Sequence, residues 1–480
     1  MLDLSRFSTE QRQAVLAPDT PLLIMAGPGC GKTLVLAARI AYLIGWRQIP
    51  PSSILALTFA TKASRELRGR LYCLIGEEGS GVDVSTFHAF GLRIVRQWSE
   101  ELGMGPSPPA VYGESEARAV VREVATNLQI DIERCPLRQL STRLERLRLG
   151  GKREVLEPDA LQPIADAYED ILRRRGAVDY PSMLALPLRL FSEHPGVLRL
   201  CQDSYRVVLC DEFQDICASQ YALLRSLAAR HRNLVMVGDP QQTMYCWRGA
   251  DIRFLDEFQR DFPETGIMNL HQNFRSTRQI VELANALAAS LPTSRPLWTD
   301  NPFGEAIRLH IATDEEAEAA FVVDEIERLV ATCVIDRLDE VAILYRTNWQ
   351  ALPFTVALWE RGLPYWSTPR DIAVRDDGAL SSEGVRLSTI HRAKGGEWRV
   401  VFVVGMEEGL LPHARALANV SDERVSIDEE RRVAYVAVTR ACERLYLTRC
   451  RTRQRRGRIE MRSPSRFLRG LPLDHVKRTA

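Results

Sequence analysis

The segment LLIMAGPGCGKTLVLAARIAYLI, residues 22–44, constrains the fold of this chain more than any other. It reads as an apolar strand, a glycine-rich turn and a helix, the order in which a phosphate-binding P-loop is built. In the form A-x-x-G-x-G-K-T, Ala26 stands where the general pattern has glycine, followed by Gly27, Pro28, Gly29, Cys30, Gly31, Lys32 and Thr33. The glycines let backbone N–H groups curl around phosphates at a helix N-terminus, where the dipole favours anions. Lys32 is placed to reach β- and γ-phosphates, and the Thr33 hydroxyl to hold Mg²⁺.

Such a loop belongs to a parallel α/β sheet, and the rest of the chain supplies the strands. LLIM (22–25), ILALTF (54–59), VVLC (207–210) and LVMVG (234–238) form one set of short apolar runs, and VAILY (341–345), VRLSTI (385–390) and VVFVVG (400–405) a second. Alternation of such runs with helical stretches indicates α/β architecture with two parallel sheets. From about Gly91 to Asp203 the pattern turns helical and charged, as in ESEARAVVREVATNL and ALQPIADAYEDILRRRG, and reads as a helical insertion. A length of 480 residues at 45% hydrophobic content accommodates two to four packed units. A net charge of +1 excludes a uniformly basic binder but not local basic grooves, of which RCRTRQRRGRIEMRSPSRFLRG is one candidate. The ten cysteines form no C-x-x-C pair, which argues against a structural metal and for a reducing setting. No run approaches 18 apolar residues, so no membrane segment is expected and a cytoplasmic location is.

A P-loop alone serves kinases, switches and motors alike. RVVLCDEFQDI, residues 206–216, narrows the choice. Asp211 at the end of an apolar strand suits a Mg²⁺ contact, and Glu212 beside it suits polarising an attacking water. A carboxylate placed to activate water argues for ATP hydrolysis rather than transfer to a second substrate.

VGDPQQTMYCWRGAD (237–251) goes beyond generic patterns. Together with DEFQD, it resembles the UvrD/Rep family of superfamily 1 DNA helicases. The likeness continues in order through FSTEQRQAV, TFATKASRELRGRL, STFHAF, LHQNFRST, LSTIHRAKGGEW, EEGLLP and DEERRVAYVAVTRA. The resemblance implies two RecA-like cores using ATP and Mg²⁺: residues 1–90 and 204–274 as the first, with the insertion 91–203, and 275–480 as the second with a basic hairpin and tail. It implies that Gln11 reads adenine, Phe274 stacks on the base, Glu397 contacts the ribose, and Gln242 senses the γ-phosphate. Arg275 and Arg440 would reach that phosphate, a role worth ~10³–10⁵ in rate. On the DNA side it implies Phe59, Tyr245 and Trp247 as stacking platforms, supported by Thr58, Thr86, His88, Arg248, Thr389 and His391. Base stacking of this kind is worth ~1–3 kcal/mol per contact. The expected substrates are single-stranded DNA and single-strand/duplex junctions, with 3′ to 5′ movement.

Longer members of the family carry a further domain between a G-x-P-Y strand and the T-x-H-x-A-K-G motif. Here Gly362–Tyr365 and Thr389–His391 are separated by only the stretch around DIAVRDDGALSSEG, too short for a domain. Weak duplex unwinding, or dependence on a protein partner for it, is therefore expected. Three departures bear on this: Gly396 replaces a usual leucine, Gln241 a usual acid, and Met461 an aromatic in the hairpin. No appended nuclease or partner-binding module is expected beyond Ala480. The competing readings are a DNA-binding scaffold switched by ATP and an RNA-directed motor.

Overall fold

The computed structural model describes residues 3–130, 135–149, 158–246, 249–292, 294–367, 373–374, 380–381, 383–418, 426–455, 457–471 and 476–479. The chain forms two compact units. The first comprises Met1–Met25, Lys32–Gly238 and Tyr245–Asn269; the second comprises Ala26–Gly31, Asp239–Met244 and Leu270–Ala480.

In the first unit the strands lie in the order Asp83–Thr86, Ile54–Thr58, Val207–Asp211, Leu234–Gly238, Leu22–Ala26, Gly266–Leu270. Neighbours from Asp83–Thr86 through Leu22–Ala26 pair parallel. The four central strands are buried along their whole length, which is why they read as continuous apolar runs rather than alternating ones. Between Gln97 and the Val207–Asp211 strand, helices Glu114–Asn127, Leu137–Arg148 and Pro158–Arg174 pack on one another through Val120, Val124, Leu140, Leu144, Tyr168 and Leu172. The Phe87–Gln97 helix runs straight across the expected insertion boundary at residue 91.

The second unit carries a seven-stranded sheet ordered Tyr365–Trp366, Val385–Thr389, Val341–Tyr345, Trp398–Val403, Ala441–Cys450, Ile307–Ala312, Val476–Thr479, and every pairing is parallel. The segment between the G-x-P-Y and T-x-H landmarks leaves at Trp366 and returns at Val385, and those two strands are direct neighbours, Tyr365 opposite Val385. Within it, Ala373–Val374 pairs antiparallel with Leu380–Ser381; the remainder of the stretch lies largely outside the described residues. The expected strand VRLSTI stops one residue early because Thr389 caps the next helix, its hydroxyl accepting from Arg392 N–H at 3.4 Å. The tail hairpin is present: Thr452–Arg455 pairs antiparallel with Arg458–Met461, turning at Gly457 with φ 76°.

That hairpin is anchored by buried charge. Arg453 bonds Glu407 through Nε at 2.9 Å and Nη2 at 2.8 Å, and reaches Glu318 at 2.5 Å. All three side chains are essentially inaccessible. Burial alone would lower the Arg453 pKa, but the Glu318 and Glu407 carboxylates outweigh it and hold it above its ordinary value. Glu318, Glu407 and Cys450 also lie at metal-like spacing, but the guanidinium already bonds both carboxylates. Removing one partner from a buried ion cluster leaves uncompensated charge, so Arg453→Met should cost about 3–5 kcal/mol of stability. Thermal or urea unfolding of the variant measures this, and a midpoint equal to that of the parent would contradict it.

Candidate functional site

In the first unit the carboxyl ends of neighbouring strands bring reactive groups together, the usual ligand-facing edge of an open parallel sheet. Lys32 and Thr33 begin the helix Lys32–Gly45. Asp211 ends its strand almost fully buried. Burial first, and then the neighbouring Glu212 charge, push the Asp211 carboxyl above the usual carboxylate range, while Lys32 pulls it back. Glu212 adopts a left-handed backbone, φ 57° and ψ 44°. For a non-glycine residue this costs about 1–3 kcal/mol and is found where geometry at a site demands it. Its N–H donates to Asp211 Oδ1 at 2.9 Å, and Gln214 Nε2 donates to its carboxylate. The Asp211 carboxyl and the Thr33 hydroxyl are an oxygen donor set that fits Mg²⁺, and a cation there would favour the ionised carboxylate.

Gln11 sits in the Thr9–Leu16 helix, nearly buried. It forms a capping box with Ser8: its N–H donates to Ser8 Oγ at 3.2 Å and its Oε1 accepts from Ser8 N–H at 3.1 Å.

In the second unit the P-loop turn lies against the LHQNFRST segment. Gly29 and Gly31 have φ of 72° and 80°, which only glycine adopts without strain. A Cβ on Gly29 would also fall 2.5 Å from Asn273 Nδ2 and 2.8 Å from Arg275 Cβ. Asn273, which sequence reasoning passed over although it precedes Phe274 directly, donates to Pro28 O at 2.8 Å. Its Oδ1 accepts from the N–H groups of Arg275 and Ser276 at 2.9 and 2.8 Å. Phe274 stands 48% exposed. Arg275 pairs with Glu397 at 2.5 Å and donates to Thr439 O at 3.1 Å.

Gln242 and Arg440 are both buried and meet, Arg440 Nη2 to Gln242 Oε1 at 3.4 Å. Arg440 also donates to Gly396 O at 3.1 Å, and Gln242 Nε2 to Asp239 at 2.7 Å. Lys394, a second residue that sequence reasoning missed inside a motif it had quoted, donates to Gln242 O at 2.7 Å. Gly396 has a physical reason: a Cβ there would lie 2.9 Å from Trp398 Cζ3 and 3.1 Å from Ala393 O. A larger residue at 396 would therefore have to displace the Trp398 ring. Gln241 is buried, with Nε2 3.5 Å from Arg295 O.

Of the residues expected to hold DNA, Phe59 and Tyr245 stack on each other, centroids 5.3 Å apart at 25°, and both are partly exposed. Thr58 is fully buried with its hydroxyl 2.6 Å from Ser64 Oγ and 3.2 Å from Ala60 O, so it braces the turn that carries Phe59 and offers no surface hydroxyl. Thr86 caps its helix, accepting from Ala89 N–H at 3.2 Å. His88 meets Tyr180 edge-on at 5.5 Å. Thr389 and His391 lie together at the start of the helix Ile390–Ala393. Burial, then Arg346 and Lys394, depress the His391 pKa to about 3, so the ring is neutral near pH 7. Met461 is 81% exposed, beside equally exposed Ile459 on the same hairpin strand. Trp247 and Arg248 lie outside the described residues.

Two parallel sheets in one chain, one fed by a glycine-rich phosphate loop and ending in an acidic pair, define a RecA-like nucleoside-triphosphatase. The chain is more specific than that class. The UvrD/REP helicase N-terminal domain model matches residues 7–263, and the UvrD-like helicase C-terminal domain model matches 268–369 and 372–452. The chain belongs to the UvrD/REP helicase family. It is 28% identical to the ATP-dependent DNA helicase PcrA of Staphylococcus aureus strain Mu50 over 640 aligned positions, covering 98% of this chain and 86% of that one. It is likewise 28% identical to the PcrA of Staphylococcus epidermidis strain ATCC 35984 over 642 positions, covering 98% and 87%. An alignment of 640 positions exceeds the 480 residues here, so those relatives carry segments with no counterpart in this chain. The C-terminal match breaks between 369 and 372, in the segment between Trp366 and Val385.

If Glu212 polarises the attacking water, Glu212→Gln should lower kcat for ATP by ~10²–10⁴ while ATP still binds. Steady-state hydrolysis alongside equilibrium binding of ATP checks both halves; an unchanged kcat would remove Glu212 from that role.

Proposed function

We propose that this protein is an ATP-driven motor on single-stranded DNA that moves 3′ to 5′ and opens duplex only weakly by itself. The observation that carries the reading is the buried Asp211, with half-buried Glu212 beside it, on the strand edge that also bears Lys32 and Thr33. An acid pair of that kind suits water activation rather than phosphoryl transfer to a bound acceptor. The likeness to proteins named ATP-dependent DNA helicases supports the DNA half of the reading.

In this reading Thr33 and Asp211 hold Mg²⁺, which neutralises charge on the phosphates. Lys32 and the loop amides bind β- and γ-phosphates, and Glu212 orients and deprotonates the water. Gln242, with Arg440 bonded to it, senses whether the γ-phosphate is present, and Arg275 and Arg440 stabilise charge developing on it. Phe274 stacks on the adenine, and Glu397 contacts the ribose while paired with Arg275.

On the DNA side, the Phe59–Tyr245 pair, Trp247 and Arg248 hold bases and phosphates, with Thr86, His88, Thr389 and His391 as further strand contacts. A neutral His391 contributes a hydrogen bond or stacking and no charge. The work served is strand handling in repair, replication or recombination. Weak unwinding follows from two features: the join between Trp366 and Val385 has no room for the duplex-gripping domain of longer members, and Met461 stacks less well than an aromatic ring.

Steady-state ATP hydrolysis with and without single-stranded DNA tests the reading. Large stimulation should appear and weaken with salt, since log K falls with log salt at a slope of about −0.7 per phosphate contact on single strands. Hydrolysis indifferent to DNA at every salt concentration would sink it.

A further inference from the structure

The helix that follows the P-loop carries a side chain that none of the roles above uses. Arg39 lies in LVLAARIAYLI, one turn and more beyond Thr33, and is completely buried. Among the described residues its carboxylate partner is Asp19, an ion pair at 3.9 Å, and Asp19 is itself held by Arg47 at 2.6 Å. Burial lowers the Arg39 pKa to about 10, with Asp19 opposing, which leaves it charged near pH 7. A buried guanidinium is tolerated only where it satisfies, and is satisfied by, strong acceptors.

Its acceptors are backbone. Arg39 Nη1 donates to Val15 O at 3.1 Å and Ala17 O at 2.8 Å, and Nη2 donates to Pro18 O at 2.8 Å. Val15 belongs to the last turn of the Thr9–Leu16 helix, and Ala17 is its C-cap residue. Carbonyls at a helix C-terminus lack intrahelical partners and carry the negative end of the dipole, so one cation there satisfies both needs. The helix so gripped is the one that presents Gln11.

The opposite end of that helix is fixed by Gln11 itself. Because Gln11 Oε1 accepts from Ser8 N–H, the amide oxygen and nitrogen cannot exchange places without breaking the capping box. An amide oxygen has two lone pairs and can accept from Ser8 and from an exocyclic amine at once. Adenine offers a donor amine at its six-position, whereas guanine offers an acceptor oxygen there. The box therefore sets which base is read, and the Arg39 clamp sets where the reading group stands relative to the phosphate-binding helix.

We propose that Arg39 is a positioning residue for base recognition: its three carbonyl bonds lock the Gln11 helix to the P-loop helix, so that adenine selectivity depends on Arg39 although it touches no nucleotide. The inference rests on the reading of Gln11 as the adenine-facing group and of the chain as an ATPase.

The test compares ATP and GTP as substrates for the full chain, its Arg39→Met and Arg39→Lys variants, and Gln11→Ala alone and combined with Arg39→Met. In Arg39→Met, KM for ATP should rise about ten-fold with kcat within about two-fold, and the ATP-over-GTP ratio of kcat/KM should fall about ten-fold. Arg39→Lys, which keeps the charge and reaches fewer carbonyls, should recover part of the ratio, and it carries the test if Arg39→Met does not fold. In the Gln11→Ala background, Arg39→Met should move the ratio no further, because both changes remove one recognition element. A ratio unchanged in both Arg39 variants, or independent multiplying effects of Gln11→Ala and Arg39→Met, would overturn the proposal and leave Arg39 a stability residue. Absence of ATP hydrolysis in the parent chain would sink the ATPase reading and this inference with it, whereas failure of the Arg39 variants alone would sink only the inference.

Discussion

Two carboxylates at the end of a strand buried along its whole length are the constraint around which the first unit is arranged. Asp211 is nearly inaccessible, and Glu212 follows it in a left-handed backbone conformation that ordinary residues avoid. Neither feature helps the fold: burial raises the cost of the Asp211 charge, the adjacent acid raises it further, and the dihedral angle is strained. Such costs persist where surrounding structure over-determines them. Here the determinants are the parallel pairing of Val207–Asp211 with Leu234–Gly238 and the Gln214 bond to Glu212. A site that is unfavourable when empty of cations is well suited to a magnesium-bound triphosphate, which brings the missing positive charge with its substrate.

The second unit relies on buried charge in a different way. Arg440 finds acceptors on Val436, Gly396, Thr439 and Gln242, so a guanidinium near the end of one helix is held by several elements of its own unit. The Glu407–Arg453–Glu318 cluster does the same for the hairpin. Next to it, Glu408 binds Arg466, its N–H donates to Ser463 O at 3.0 Å, and Ser465 N–H donates to Met406 O at 2.9 Å. Both feet of the hairpin are thereby fastened to the E-E-G-L-L-P loop, while Ile459 towards the turn and Met461 at the foot, opposite Thr452, stay exposed. Within this unit, Arg440 is set by neutral acceptors and the hairpin by ion pairs.

Much of this is legible in the sequence where chemistry demands a fixed spacing. The P-loop, D-E-F-Q-D and the ordered motifs name Lys32, Asp211, Gln242 and Arg440 by their spacing, and the four central strands of the first sheet stand out because they are buried on both faces. Two other strands do not. Gly266–Leu270 is largely half-exposed, and Ala441–Cys450 is interrupted by Glu443, Arg444 and Arg449, so neither makes an apolar run. The close approach of Trp398 to Gly396 is invisible in one dimension, because it depends on a ring folding back over a backbone two residues away. Arg39 is hidden for the opposite reason: within an apolar helix a single arginine reads as a surface residue, and only the three carbonyls around it reveal a clamp. Thr58 shows the limit of motif transfer, since its hydroxyl is spent on Ser64 and Ala60.

The central claim is that hydrolysis drives directed movement along a single strand. Displacement of streptavidin from biotin placed at the 5′ or the 3′ end of a single-stranded oligonucleotide tests it most directly. The account predicts rapid ATP-dependent displacement from the 5′ end and little from the 3′ end. Robust DNA-stimulated hydrolysis with no displacement from either end would contradict it and leave an ATP-switched DNA binder in its place.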